Sequence, residues 1–277
     1  MPFRRKRALL AALVVAAGLG GWASTAGAGP ALSVRHPALA RIGATVGSEA
    51  STNWAGYAVT HPRSFSSVTG RWIQPVASCV GVSPTYSAFW VGLGGFAAGA
   101  HAVEQIGTMA NCSAGSPYYT AWFELYPALP VSVKLRVRPR DKMSATVTVN
   151  GTRVLLRLKD VTADKLFTKT LRTRRPDLSS AEWIAEAPTG CDYLGNCSTL
   201  PLTNFGTIAF SHSSAAVKGH KGRISDPVWS ATTIELHGDL DDPSHPSQAG
   251  ANAIPGELGA DGGSFTVSWQ ALAPPNS

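Results

Sequence analysis

The sequence predicts an all-β domain, a sandwich or a barrel. Three observations lead there. From Ser51 onward, short alternating or apolar runs recur, separated by Gly, Pro, Asn and Ser. Helical periodicity is nearly absent. The stretch of about 225 residues is a size that one such domain reaches. No internal repeat is visible.

The elements follow in order. Ser87–Leu93 (S-A-F-W-V-G-L) and Val131–Val137 (V-S-V-K-L-R-V) read as strands. Ser144–Val149 and Arg153–Leu158 read as a hairpin, because Asn150-Gly151 suits a type I′ turn with positive φ at both central residues. Thr162–Leu171 could pass for a short helix but reads better as strand or loop. Ser180–Pro188 (S-A-E-W-I-A-E-A-P), Thr207–Phe210, Thr232–Leu236 and Ser264–Trp269 complete the set.

The N-terminus is an address. Arg4, Arg5, Lys6 and Arg7 precede an apolar run from Ala8 to about Gly20, then Ala26-Gly27-Ala28. This order is that of a secretory signal spanning 1–28, cleaved after Ala28, and the run is shorter than the ~20 residues of a membrane span. Residues after Arg4-Arg5 match a twin-arginine signal poorly. Residues 29–50 read as a short propeptide or a disordered lead-in, 51–272 as the domain and 273–277 as a tail. The formal charge is +7, and removing the four basic residues of the signal leaves 7 − 4 = +3. That balance, with no basic stripe interleaved with aromatics, argues against nucleic acid. The Arg172, Arg174 and Arg175 cluster reads as a solvated loop. The mature chain is expected to be secreted, monomeric and free of the membrane.

Cys79, Cys112, Cys191 and Cys197 all follow the signal. An even count in an exported chain suggests two disulfides. Of three pairings, Cys191–Cys197 is favoured as a short loop turned by Asp192, Gly195 and Asn196, with Cys79–Cys112 as the other. Neither C-x-x-C nor H-x-x-x-H spacing occurs, so no metal and no cofactor is expected. His237–Gln248 reads as an acidic loop rather than a metal site.

Serine, aspartic and zinc hydrolase signatures are missing, as are P-loop and dinucleotide fingerprints. Chemistry must then come from carboxylates and amides. On a strand, Glu182, Ile184 and Glu186 share one face. In Tyr118–Pro127 (Y-Y-T-A-W-F-E-L-Y-P), Trp122, Glu124 and Tyr126 likewise share one face. Two further segments stand out: Ser51–Tyr57 (S-T-N-W-A-G-Y), and Phe89–Gly95 (F-W-V-G-L-G-G) leading to Val103–Thr108 (V-E-Q-I-G-T).

Together these segments resemble the glutamic peptidases (eqolisins, family G1), from about Ser51 to Trp269. N-W-x-G, W-V-G followed by Q-x-G, Y-x-A-W-[FY]-E-x-Y-P and A-E-[WF]-I-x-E occur in family order. The resemblance implies a concanavalin-like sandwich of two antiparallel sheets with a cleft for a protein or peptide substrate. It implies a catalytic pair of Gln105 and Glu186, with Trp54, Trp122 and Glu124 lining or supporting the cleft. Tyr126 joins them from the same strand face. It also implies an acid-favoured, pepstatin-insensitive endopeptidase.

Gly94 and Thr120 stand where the fungal pattern has acids, which touches subsite preference rather than the pair. Glu104 is expected to be solvated or salt-bridged, and Glu182 to be a structural or surface acid. Two rival readings are a glycoside hydrolase and a carbohydrate-binding sandwich stacking sugars on Trp54, Trp122 and Tyr126. The Glu182–Glu186 pair suits glycoside hydrolysis poorly, since same-face residues four apart sit roughly 13 Å apart along a strand.

Overall fold

The structure, a computed structural model, describes residues 33–45, 47–238 and 249–272, with side chains of 41–45 set aside. The signal segment, the tail and nearly all of the His237–Gln248 run lie outside the described residues. The described residues belong to one compact unit, Leu32–Ser277.

Every regular element among them is a strand. The first five are β1 (Ser33–Arg35), β2 (Arg41–Thr45), β3 (Ser48–Ser51), β4 (Trp54–Thr60) and β5 (Phe65–Ile73). Next come β6 (Ala88–Leu93), β7 (Val103–Ser113), β8 (Ser116–Tyr126), β9 (Val131–Val133) and β10 (Lys142–Asn150). Then follow β11 (Arg153–Asp160), β12 (Lys165–Arg172), β13 (Ser180–Glu186), β14 (Thr189–Cys191) and β15 (Cys197–Thr199). The last are β16 (Thr207–Val217), β17 (His220–Arg223), β18 (Ser230–Leu236), β19 (Ala251–Pro255) and β20 (Phe265–Ala271).

The ladders resolve into two layers. One runs β9-β8-β7-β6-β13-β4-β18-β3-β2, antiparallel except for the parallel β18–β3 pair. The other runs β12-β11-β10-β5-β16-β20-β19, with β17 folded back on β16. Leu236 and Ala253 pair across the edge where the layers join. This is the sandwich that the sequence predicts. Its core holds Trp72, Phe89, Val91, Ile106, Val147, Leu156, Trp183 and Phe210 between the layers. A small third sheet, β1-β14-β15, stands apart.

Local chemistry explains the details. The β10–β11 hairpin forms, but its two-residue loop is Gly151–Thr152, one position later than predicted. Asn150 stays in the ladder opposite Arg153, and Gly151 alone takes positive φ (59°). A turn with Gly at its first central position needs only that one residue in the left-handed region. Val131–Val137 shortens to β9, because Leu135 N donates to Val133 O and turns the chain. Of Thr162–Leu171, residues 162–164 are turn and the rest lies in strand β12. Both expected disulfides form, Cys79–Cys112 and Cys191–Cys197, and no free cysteine is left.

Candidate active site

The site lies on the first layer, on the face turned away from the core. Ladder register sets its side chains in rows. Glu182, Gly92, Gln105 and Glu124 face one another in one row across β13, β6, β7 and β8. Ile184, Trp90, Gly107 and Trp122 make the next row, and Glu186 and Ala88 begin the one after. Trp54 of β4 is opposite Glu186. Period-two alternation thus gathers Gln105, Glu124, Glu182 and Glu186 on one face.

Gly107 keeps the middle row hollow. A Cβ there would meet Phe89 O at 2.2 Å and Trp90 Cβ at 2.6 Å. Trp90 fills the space on the other side of the gap, edge-on to Trp54 with ring centroids 4.9 Å apart. An apolar floor of Trp54, Trp90, Trp122, Met109 and Ile184 results. Tyr126 packs at its margin, only partly buried.

The polar contacts converge on an unexpected residue, His36. Gln105 Nε2 donates to His36 O at 2.7 Å and to Glu124 Oε2 at 3.2 Å. The His36 backbone N–H donates to Glu124 Oε2 at 3.1 Å. His36 Nδ1 lies 2.9 Å from Glu186 Oε2, and Trp90 Nε1 donates to the same oxygen at 2.8 Å. The imidazole stacks on Trp122 at 3.8 Å. Gln105 Oε1, Glu124 Oε1 and Glu186 Oε1 are buried without a hydrogen-bond partner.

Burial dominates the electrostatics. It pushes the Glu124 carboxyl up to about 9, with the charge of Glu186 adding to it. It raises Glu186 as well, but His36 pulls that group back, helped by Trp90 and Trp54. Glu124 therefore holds its proton through neutral pH.

One expectation is narrowed and one corrected. Of the two readings of Glu182, structural or surface acid, the surface one falls. The residue is fully buried, neither oxygen is hydrogen-bonded, and burial raises its pKa well above the usual range, with Asp177 and Glu104 adding. Glu104 is not solvated, and it has no salt bridge among the described residues. It is 1% exposed and its carboxyl is pushed up to about 8, by burial first and then by Asp177. Burial raises both carboxyls, which favours the protonated form and so lessens the cost of burying an unpaired charge.

Asp177 also explains the Gly94 departure. Gly94 has φ of 82°, and a Cβ on it would meet the Asp177 Cβ at 2.5 Å. Asp177 Oδ2 accepts from Gly95 N at 3.3 Å. An acid from another segment thus fills the space beside position 94.

Sequence reasoning did not single out His36, Trp90 or Asp177. Trp90 was within reach, since it alternates with Gly92 on the strand paired to the A-E-W-I-A-E block. His36 carries no local signal.

The profile of the peptidase A4 family matches residues 52–241. The chain belongs to the peptidase A4 family. Membership makes it a glutamic endopeptidase. No curated protein sequence matches it. Among solved structures, scytalido-glutamic peptidase with a peptide-based transition-state analogue superposes with a TM-score of 0.60 at 19% identity, covering 79% of this chain and 98% of that one. SCP-B, an eqolisin in complex with the tripeptide Ala-Ile-His, gives 0.57 at 18%, with coverage of 79% and 98%. Aspergilloglutamic peptidase from Aspergillus niger gives 0.52 at 22%, with coverage of 67% and 99%. At these identities the structures show that this peptidase A4 member shares their fold.

Proposed function

We propose that this chain hydrolyses peptide bonds with Gln105 and Glu186, as an exported enzyme favoured at acidic pH and insensitive to pepstatin. One observation carries the reading. A backbone carbonyl, that of His36, sits on Gln105 Nε2 while the same residue reaches Glu186. A substrate carbonyl in that place would have its oxygen on an amide donor and its carbon within reach of a water held by Glu186. The complexes of the similar peptidases with a peptide-based analogue and a tripeptide support a peptide occupant.

Glu186, as carboxylate, takes a proton from the attacking water. Gln105 Nε2 stabilises the oxyanion that forms on the former carbonyl, and protonated Glu124 holds the Gln105 amide in place. Glu186 then returns the proton to the leaving nitrogen, and the C–N bond breaks. A base with a raised pKa works best near that pKa, and acidic pH supplies the protonated form for the second step. The two disulfides favour an oxidising compartment, in keeping with a cleaved signal over 1–28.

The test is cleavage of denatured casein across pH with pepstatin present, beside Gln105→Ala and Glu186→Gln. Acid-favoured activity abolished by both substitutions is expected. Full activity in Glu186→Gln would overturn the assignment.

A further inference from the structure

We infer that the second layer carries a binding site of its own on its outward face, for an acidic polysaccharide that bears carboxylates. The site lies on the side of the sandwich away from the proposed catalytic pair, and it does not depend on the peptidase reading.

Strand alternation builds its floor. On β5 and β10, Val68, Trp72, Ala145 and Val147 belong to the core, so Thr69, Arg71, Ser144 and Thr146 point outward. The register sets Thr69 beside Thr146 and Ser214, and Arg71 beside Ser144. Arg223 of β17 extends the first of these rows, opposite Ser214, and Lys221 stands two residues along the same strand. Arg157 of β11 continues the row on its other side, opposite Thr146. From β10 to β17 the floor forms a groove of about 540 Å³, within the ~300–1,000 Å³ of ligand clefts.

A β-bulge aims one more side chain at this groove. Where β5 steps from Arg71 to Thr69, β16 runs from Ser211 to Ser214 and so carries one extra residue. His212 takes φ of 54°, a left-handed conformation uncommon for a residue with a Cβ, and lines the groove. Its neighbour Ser213 is buried, with a hydroxyl that has no hydrogen-bond partner. Both features cost free energy, and their local outcome is an imidazole at the groove.

The chemistry is one-sided. Among the described residues, the lining sets Arg71, Arg223, Lys221 and His212 over four hydroxyls, with no carboxylate. The acids nearby are engaged, Asp261 with Arg223 at 3.6 Å and Asp226 with His220 at 2.9 Å. Arg71 and Lys221 have no ion pair among the described residues. Guanidinium forks take carboxylates two oxygens at a time, and Ser and Thr hydroxyls both donate to and accept from sugar hydroxyls. The lining holds no Phe, Tyr or Trp, so it lacks the stacking platform that single-stranded nucleic acid uses. From Arg157 to Arg223 the row crosses four strand spacings, ~19 Å, too far for one small anion and suited to a chain lying across the strands. A polymer held there leaves the cleft of the first layer on the opposite side.

The experiment titrates the full chain with a polygalacturonate oligomer in a calorimeter, beside neutral dextran and duplex DNA of equal charge. Binding of the oligomer and not of dextran is expected, weakening as salt rises from about 0.05 to about 0.5 M. Arg71→Ser/Arg223→Ser should weaken it at least about tenfold. Arg157→Ser/Lys221→Ser supplies the same readout should the first variant not fold, with folding checked by circular dichroism. Arg174→Ser/Arg175→Ser removes equal charge outside the groove and should bind as the natural sequence does. No binding of the oligomer, equal weakening by the groove and outside variants, or tighter binding of the DNA would overturn the site. The readout is binding, so failure of the peptidase reading leaves it standing.

Discussion

Trp90 Nε1 donates to Glu186 Oε2 at 2.8 Å, from the strand paired to the one that carries the carboxylate. The indole fixes the rotamer of the proposed base and favours its ionised form. Trp90→Phe keeps the floor and removes the donor. A hydrogen bond to a charged group contributes about 1.5–3 kcal/mol, so kcat should fall about 10- to 100-fold with KM little changed. The limb of the pH–rate profile governed by Glu186 should move to higher pH. An unmoved profile would show that Trp90 only packs.

Glu124, already protonated, should tolerate amide replacement. Glu124→Gln is expected to retain activity within about fivefold, since a neutral partner for Gln105 and the peptide N–H remains. Glu124→Ala leaves Gln105 unsupported and should lose about 10-fold or more in kcat. Steady-state kinetics of the two variants decides it, and equal losses would mean that the charge of Glu124 matters after all.

Stability should fall as pH rises. Glu104 and Glu124 have folded-state pKa values raised to about 8 and about 9, and Glu182 is raised too. The folded state therefore binds more protons than the unfolded chain above the ordinary carboxylate range. Each group's contribution is full below about 4.5 and is lost as pH climbs towards its folded value, at up to about 1.4 kcal/mol per pH unit. Thermal melts from pH 4 to 9 should show Tm declining. Glu104→Gln should flatten the slope, and an unchanged slope would contradict the burial argument.

The disulfides should differ in weight. Cys79–Cys112 closes 33 residues and Cys191–Cys197 closes 6. On chain entropy alone the first contributes about 3–4 kcal/mol and the second about 2. Cys79→Ala/Cys112→Ala should lower Tm more than Cys191→Ala/Cys197→Ala, as calorimetry of the double variants would reveal.

Restoring an acid at position 94 should fail. Gly94→Asp forces a left-handed backbone on a residue with a Cβ and drives that atom into Asp177. A loss of about 1–3 kcal/mol is expected in denaturant melts. Pairing it with Asp177→Gly should recover part of the loss, and no recovery would show that backbone strain and the Asp177 carbonyl, rather than the Asp177 side chain, dominate.

The legibility of the sequence was uneven for physical reasons. Strand β10 carries strict alternation, and β11 and the middle of β13 are rich in apolar and β-branched or aromatic residues, so their composition announces them. β5 was overlooked, although it lies between β10 and β16, because Ser66, Ser67 and Gly70 interrupt its apolar residues. Face assignments for Gln105, Glu124 and Glu186 were readable because strand alternation is local. Burial of Glu104 and Glu182 was not, since it depends on Asp177 and on which segments close over the sheet ends. His36 was the least accessible. Its importance comes from contacts with residues 88 and 150 positions away.

The place of β13 sets an order of events for the newly made chain. It lies between β4 and β6, touching both along its length. Until residue 186 has left the ribosome, β4 and β6 have a gap where the missing strand belongs, and Gln105 has no carboxylate to work with. A half-made chain that ends before residue 186 therefore lacks the carboxylate of the proposed pair. Slow, long-range strand pairing, a handicap for folding, here sets when Gln105 and Glu186, the proposed pair, can first come together.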